Sequence, residues 1–246
     1  MKVQHPLKGS EREALLQELH DRYVYGHKKK KWTYYRKKYV WLFFIDGTLF
    51  LKRVLDIFFS FLLILVALPL LVLIPILIKL SDGGPVLYVT KRVGKWGKEF
   101  YFPKFRTMKV GADATKKKLM HLNEFEGDKH FKLKKDPRVT ALGRVLRKFS
   151  IDELPQLFNV LIGDMSLVGP RPPLPSEVET YSMLERRRLE IKPGLTGLWQ
   201  VSGRSDLTFK KQVELDVEYI QSQSILGDLW IICKTIPVVL LGRGAY

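Results

Sequence analysis

The chain has 246 residues, 46% of them hydrophobic, enough for one sizeable domain with attachments. Lys and Arg number 42 against 25 acids, a formal net charge of +17, which implies a polyanionic partner: nucleic acid, an anionic membrane surface or a phosphate-bearing substrate. The single cysteine, Cys233, excludes an internal disulfide and a cysteine-ligated structural metal site, and its neighbours Trp230-Ile231-Ile232 point to packing rather than reactivity.

Residues 1–50 read as a basic, aromatic segment at a membrane surface. They carry no cleavable signal peptide, so the chain is expected to stay on the cytoplasmic side. A short helix is expected over residues 10–23, with Ser10 as its cap and Glu13 as the partner in a capping box. The run Lys28-Lys29-Lys30-Lys31 follows, and then Trp32, Tyr34, Tyr35, Tyr39 and Trp41 interleave with Arg36, Lys37 and Lys38. Rings and cations together suit the headgroup layer of a bilayer, although a nucleic-acid arm would use the same residues. The next stretch favours the membrane. Residues 57–78 contain no charge, a run long enough to cross a ~30 Å hydrocarbon core as a helix. Pro69 and Pro75 predict a kink or break within it. Both flanks are basic, Lys52 and Arg53 before and Lys79, Lys91, Arg92, Lys95 and Lys98 after, and both therefore prefer the cytoplasm. A re-entrant helix-break-helix over residues 51–80, broken at Pro69, meets both conditions; a bent single span is the alternative.

Residues 81–246 have the character of a catalytic domain. After the turn Ser81-Asp82-Gly83-Gly84-Pro85, strands are predicted over 86–90 and 99–105, joined through Gly94 and Gly97. Residues 116–135 are charged and loop-like, Asp136-Pro137-Arg138 is a turn, and 141–148 a basic helix. Helices are expected over 175–190 and over 207–221, the latter with Asp206 available as cap. Residues 225–241, apolar on several faces and interrupted by Pro237, read as a core helix or as one lying in the membrane interface.

The stretch Phe149-Ser150-Ile151-Asp152-Glu153-Leu154-Pro155 holds two adjacent acids where a helix should begin, because Pro155 fits only a first turn. One reading is capping, with Ser150 and Glu153 as the box. The other uses the same physics for chemistry: a helix N-terminus attracts phosphate and keeps a nucleophilic carboxylate ionised. Three basic, rigid segments surround the choice. Lys104 and Arg106 fall on alternate positions of a strand end, hence on one face. Arg171 is fixed between prolines in Gly163-Asp164-Met165-Ser166-Leu167-Val168-Gly169-Pro170-Arg171-Pro172-Pro173, a pre-organised phosphate fork. A second glycine-rich loop, Pro193-Gly194-Leu195-Thr196-Gly197 onward, carries Gln200 and ends at Arg204.

These stretches together resemble the bacterial sugar transferases, the monotopic polyprenyl-phosphate hexose-1-phosphate transferases, from about Leu51 to Tyr246. The closing Leu241-Gly242-Arg243-Gly244-Ala245-Tyr246 is similar to members that start exopolysaccharide or O-antigen units with glucose or galactose. The resemblance implies an α/β, mostly helical monotopic membrane protein with few short strands, a re-entrant helix and interfacial amphipathic helices. It implies transfer of a sugar 1-phosphate from a UDP-hexose to undecaprenyl phosphate with release of UMP, on the cytoplasmic face of the bacterial inner membrane. Asp152 would be the nucleophile that becomes phosphosugar-bearing, Glu153 the assisting carboxylate, and both would lie at Mg²⁺. Lys104, Arg106 and Arg171 would supply phosphate charge, with Gln200 and Arg204 on the nucleotide side. Membrane lipids and a second copy of the chain complete the partners, and nucleic acid is not among them. The family's kink often carries Ser-Pro; here it is Leu68-Pro69. The rival from another class is a non-catalytic, membrane-tethered module that binds an anionic polymer.

Overall fold

The computed structural model describes residues 9–112, 114, 136–204 and 207–242, with few side chains before Gly47. The charged segment 116–135, the Asp206 cap, the Ser10 side chain and the closing residues 243–246 lie outside the described residues. Contacts divide the chain into two units, residues 1–51 and 52–246, each taken by itself below.

The first helix, α1 (Gly9–Asp82), begins in the first unit and continues into the second. In the first unit the expected interleaving is visible where side chains are described: the Arg36 guanidinium lies 5.3 Å from the Trp32 ring centre, and Tyr34 meets Tyr35 edge-on at 5.6 Å.

In the second unit α1 is helical through both Pro69 and Pro75, so the helix-break-helix expected at Pro69 is replaced by one helix with no loop inside it. A proline removes one N–H and crowds one carbonyl, while a chain surrounded by apolar groups gains from keeping every other helical hydrogen bond. Asp56, Ser60, Ile64, Ala67, Ile74 and Ile78 are buried, and their spacing marks a single stripe along the helix. Every other face is exposed and still apolar, including Phe58, Phe61, Val66, Val72 and Ile76. Residues 47–82 form the one described helix long and apolar enough to cross a membrane by length and composition.

Ile74 and Ile78 pack with Phe105 and Leu146, and Ile64 with Phe100, Phe102, Leu157 and Val160, so the stripe is the seam between α1 and the domain. Polar anchors hold its ends. Lys52 Nζ bonds Asp228 Oδ2 at 2.5 Å, Arg53 donates to the Val160 and Leu161 carbonyls at 2.6 and 2.8 Å, and Asp56 accepts from Leu167 N at 3.0 Å. At the other end Asp82 pairs with Arg106.

The two expected strands are present, the first running on past residue 90: β1 (Leu87–Val93) and β2 (Glu99–Phe105) pair as an antiparallel hairpin, with Val93 opposite Glu99 and Leu87 opposite Phe105. Helix α2 (Ala141–Lys148) lies directly on the end of β2, because a Cβ at Gly143 would collide with the Thr107 carbonyl. A 3-10 turn (Ile151–Gln156) leads into α3 (Leu157–Ile162). Two segments expected to be loops instead pair: β3 (Ser166–Val168) runs parallel to β4 (Gly194–Thr196). Three-residue strands are too short for a period to be read from sequence. The single helix expected over 175–190 is α4 (Pro175–Glu179), α5 (Met183–Arg186) and a 3-10 turn, divided where Ser182 caps α5. Helices α6 (Leu198–Val201), α7 (Phe209–Ser222) and α8 (Ile225–Leu240) complete the unit, with Thr208 capping α7. The mostly helical, few-strand class expected from sequence is the class observed. Helix α8 buries Asp228 and Ile231 against the core while Leu226, Trp230, Ile236 and Leu240 stay exposed, so it is a core helix on one face only. Cys233 falls on the outward side and is exposed, contrary to the packing expected of it.

Candidate active site

The acid pair sits where β2, α2 and the glycine-proline loop meet. Thr140 N donates to Thr107 O at 3.0 Å, which fixes the start of α2 on the strand end. Leu146 is buried beneath it; α2 ends at Lys148, and Ser150 just beyond has a left-handed φ of 55°. That turn directs Asp152 and Glu153 back toward the domain. The capping reading does not survive: Ser150 makes no side-chain cap, and the Glu153 carboxylate faces Lys104 instead.

Alternation along β2 places Phe102 and Lys104 on one face. Lys104 Nζ lies 2.5 Å from Glu153 Oε1 and 3.9 Å from Asp152 Oδ2, and 5.5 Å from the Phe102 ring centre. Arg171 Nη1 is 4.0 Å from Glu153 Oε1. Arg204, also left-handed at φ 51°, reaches Ser150 Oγ at 3.3 Å. The structure thus brings together Asp152, Glu153, Lys104, Arg171 and Arg204. It does not bring in Arg106 or Gln200. Because β2 ends at Phe105, the alternation that would have put Arg106 beside Lys104 stops, and Arg106 turns to Asp82. Its guanidinium packs so closely that a Cβ at Gly84 would overlap it. Gln200 donates Nε2 to Leu195 O at 3.4 Å, within its own loop. Pro69 lies on the exposed side of α1.

Two cations near the site are absent from the sequence reading of it. Arg147 donates Nε to Thr107 Oγ1 at 2.9 Å and its charge acts on Asp152. Arg92, on β1, lies 5.2 Å from the Phe102 ring centre and donates to Pro172 O at 3.2 Å. The only sequence signal for Arg147 is its place in the basic helix that leads to the acids; Arg92 has none.

The environment separates the two acids. Burial pushes the Asp152 carboxyl up to about 6; Lys104 opposes the rise and the Glu153 charge adds to it. Burial pushes Glu153 up as well, but Lys104, Arg171 and Arg204 together outweigh it and hold that carboxyl at about 2. The result is one firmly ionised acceptor beside one buried carboxylate that is ionised at neutral pH and held only by a long ion pair to the shared Lys104. Such a carboxylate is a competent nucleophile, and the surrounding cations suit a phosphoryl group carrying negative charge.

The profile of the family described as "Bacterial sugar transferase" matches residues 47–242. Among curated proteins, the chain is 49% identical over 205 residues to the galactosyl transferase CpsE of Streptococcus agalactiae serotype III, covering 82% of this chain and 45% of that one. It is 44% identical to the exopolysaccharide production protein ExoY of Sinorhizobium fredii, covering 79% of this chain and 88% of ExoY. It is 46% identical to the undecaprenyl-phosphate galactose phosphotransferase of Salmonella typhimurium, covering 80% of this chain and 42% of that one. The chain therefore spans less than half the length of CpsE and of the Salmonella protein, and most of ExoY. With a profile that covers the domain and relatives of this identity, the chain belongs to the bacterial sugar transferase family.

Proposed function

We propose that the chain transfers a sugar 1-phosphate from a UDP-sugar to undecaprenyl phosphate through an aspartyl-phosphosugar on Asp152, and so begins a lipid-linked glycan. The observation that carries this reading is the acid pair itself: Asp152 is buried with only a long ion pair to Lys104 at 3.9 Å, and Glu153 beside it is held ionised by Lys104, Arg171 and Arg204. An Asp152 carboxylate oxygen attacks the β-phosphorus of the donor. The bond from that phosphorus to the oxygen bridging to the α-phosphate breaks, and UMP leaves with the electron pair. A phosphate oxygen of undecaprenyl phosphate then attacks the same phosphorus, the acyl–phosphate bond breaks, and Asp152 returns as a carboxylate. Lys104 and Arg171 neutralise the phosphoryl oxygens, while Glu153 keeps both cations in place. Galactose and glucose are the favoured sugars; the Salmonella relative is named for galactose, and a 41% identical Caulobacter vibrioides relative for glucose.

Asp152 and Glu153 form a two-carboxylate donor set, and no third His, Cys, Asp or Glu clusters with them among the described residues. That set fits Mg²⁺, which binds proteins through one or two carboxylates and takes its other oxygens from water and substrate phosphates. Bound there, it would supply further positive charge to the diphosphate.

The same reading places the domain at the cytoplasmic face without a crossing. Lys52, Arg53 and Asp56 at one end of the charge-free run, and Asp82 at the other, all bond to the catalytic domain. Residues 52–82, seamed to the domain, present their apolar outer faces to lipid while both ends of that stretch stay on one side. A homodimer is compatible with this attachment.

Membranes containing the chain, incubated with UDP-glucose, UDP-galactose or UDP-N-acetylhexosamines, should release UMP continuously with one of the sugars when undecaprenyl phosphate is present, and no more than a single UMP per chain without it. Release of UDP, or of no nucleotide at all, would overturn the proposal. Salt-sensitive polymer binding that ignores Asp152 would favour a tethered binding module.

A further inference from the structure

The loop that presents Arg171 is Pro170-Arg171-Pro172-Pro173, and three prolines leave it a single backbone N–H. Its position is therefore set through its carbonyls. All four are engaged. Pro170 O accepts from Gly194 N at 2.9 Å and Pro173 O from Val93 N at 2.9 Å. Arg171 O accepts from Arg188 Nη2 at 3.5 Å, and Pro172 O from Arg92 Nη1 at 3.2 Å.

The two arginines in this set differ in how their charge is met. Arg188 is neutralised by Asp216 at 2.8 Å and also bonds the Tyr181 hydroxyl at 3.0 Å. Arg92 has no carboxylate within ion-pair distance among the described residues, and its buried Nε has no hydrogen-bond partner. Burial pushes it down to about 10, and the neighbouring Arg171 pushes the same way. A largely buried cation whose nearest counter-charges, Glu177 and Glu153, act on it only from beyond ion-pair distance, set beside a second cation, is an unfavourable way to hold one carbonyl. It makes sense when an anion binds between them.

We propose that Arg92 is a positioning residue for the donor site: its guanidinium holds the Pro172 carbonyl, and so aims the Arg171 guanidinium at the phosphates in front of Asp152. Its place over the Phe102 ring, the ring that also carries Lys104, fixes both cations on one rigid strand pair. The assignment rests on the reading that Arg171 clamps the donor diphosphate.

The test is a double-mutant cycle in the full chain in lipid nanodiscs, with UMP release measured for the UDP-sugar it turns over and thermal unfolding followed in parallel. Arg92→Met should raise the donor KM about tenfold with kcat changed less than about threefold. Arg92→Lys, which keeps the charge but not the planar fork, should recover only part of that loss. In an Arg171→Ala background the same Arg92 changes should cost less than about twofold, because there is no longer a fork to aim. Equal losses in both backgrounds, or no loss with Arg171 intact, would overturn the assignment. Should Arg92→Met fail to fold, the Arg92→Lys cycle alone carries the same comparison. An Arg171→Ala chain as active as the unchanged one would bring down the clamp reading, which is a different result from additivity.

Discussion

Replacing Asp152 by asparagine distinguishes a reacting carboxylate from a structural one. The residue is 7% exposed, and its carboxyl stands at about 6 against an ordinary 3.8. At ~1.4 kcal/mol per pH unit, that gap is roughly 3 kcal/mol against the ionised form. Part of it belongs to the repulsion shared with Glu153, so a gain of about 1–3 kcal/mol is the expected range. The sign follows from proton linkage. Below 3.8 the carboxyl is protonated whether the chain is folded or not, and contributes nothing. Between 3.8 and about 6 the folded chain holds the proton more tightly, so stability falls as pH rises; above about 6 the full cost is felt. Asparagine has nearly the same shape and no charge. Asp152→Asn should therefore abolish turnover yet raise unfolding stability at pH 7.5, with the advantage fading toward pH 4. Thermal and denaturant unfolding of the detergent-solubilised full chain at both pH values measures it. A loss of stability at pH 7.5 would refute the reasoning, since it would make Asp152 a structural partner of Lys104. A gain independent of pH would refute it too.

The same titration predicts that turnover declines as pH falls through about 6, where Asp152 takes up its proton; a flat rate from pH 7.5 to 5 would contradict this. Arg171→Ala should reduce kcat/KM for the donor by about 10- to 150-fold, the worth of a charge-assisted hydrogen bond of roughly 1.5–3 kcal/mol. Gly143→Ala should lose about 1–3 kcal/mol of stability and most activity, because its Cβ would force α2 off the Thr107 carbonyl and shift the acid pair. Ile78→Ala, at a 2% exposed position on the α1 seam, should cost about 2–5 kcal/mol by denaturant unfolding; a neutral result would mean that α1 does not dock on the domain. Chelating divalent cations with EDTA should stop turnover, and Mg²⁺ should restore it.

Part of the candidate site's layout can be read in the chain alone. Pro155 and the adjacent acids mark the turn, the proline-flanked Arg171 comes to lie beside Glu153, and the charge-free run marks the long apolar helix. What could not be read depends on where elements stop. Period-two alternation puts Arg106 beside Lys104, and that alternation fails one residue beyond the end of β2. The β3–β4 pair is three residues a side, shorter than any pattern, and it is held by close backbone approach at Gly169 and Gly194. The helix through Pro69 and Pro75 kept its hydrogen bonds where local propensity favoured a break, because its length is seamed to Phe105, Leu146 and Phe100. Arg92 and Arg147 carry no such signal, because a lone arginine on a strand or a basic helix has the same sequence pattern whether it meets solvent or a buried acid pair.

Mass spectrometry of peptides from turnover mixtures quenched before the lipid acceptor is added tests the central claim most directly. The account predicts a phosphohexose on the peptide containing Asp152, discharged when undecaprenyl phosphate is supplied. Accumulation of lipid product while that peptide stays unmodified throughout would contradict it.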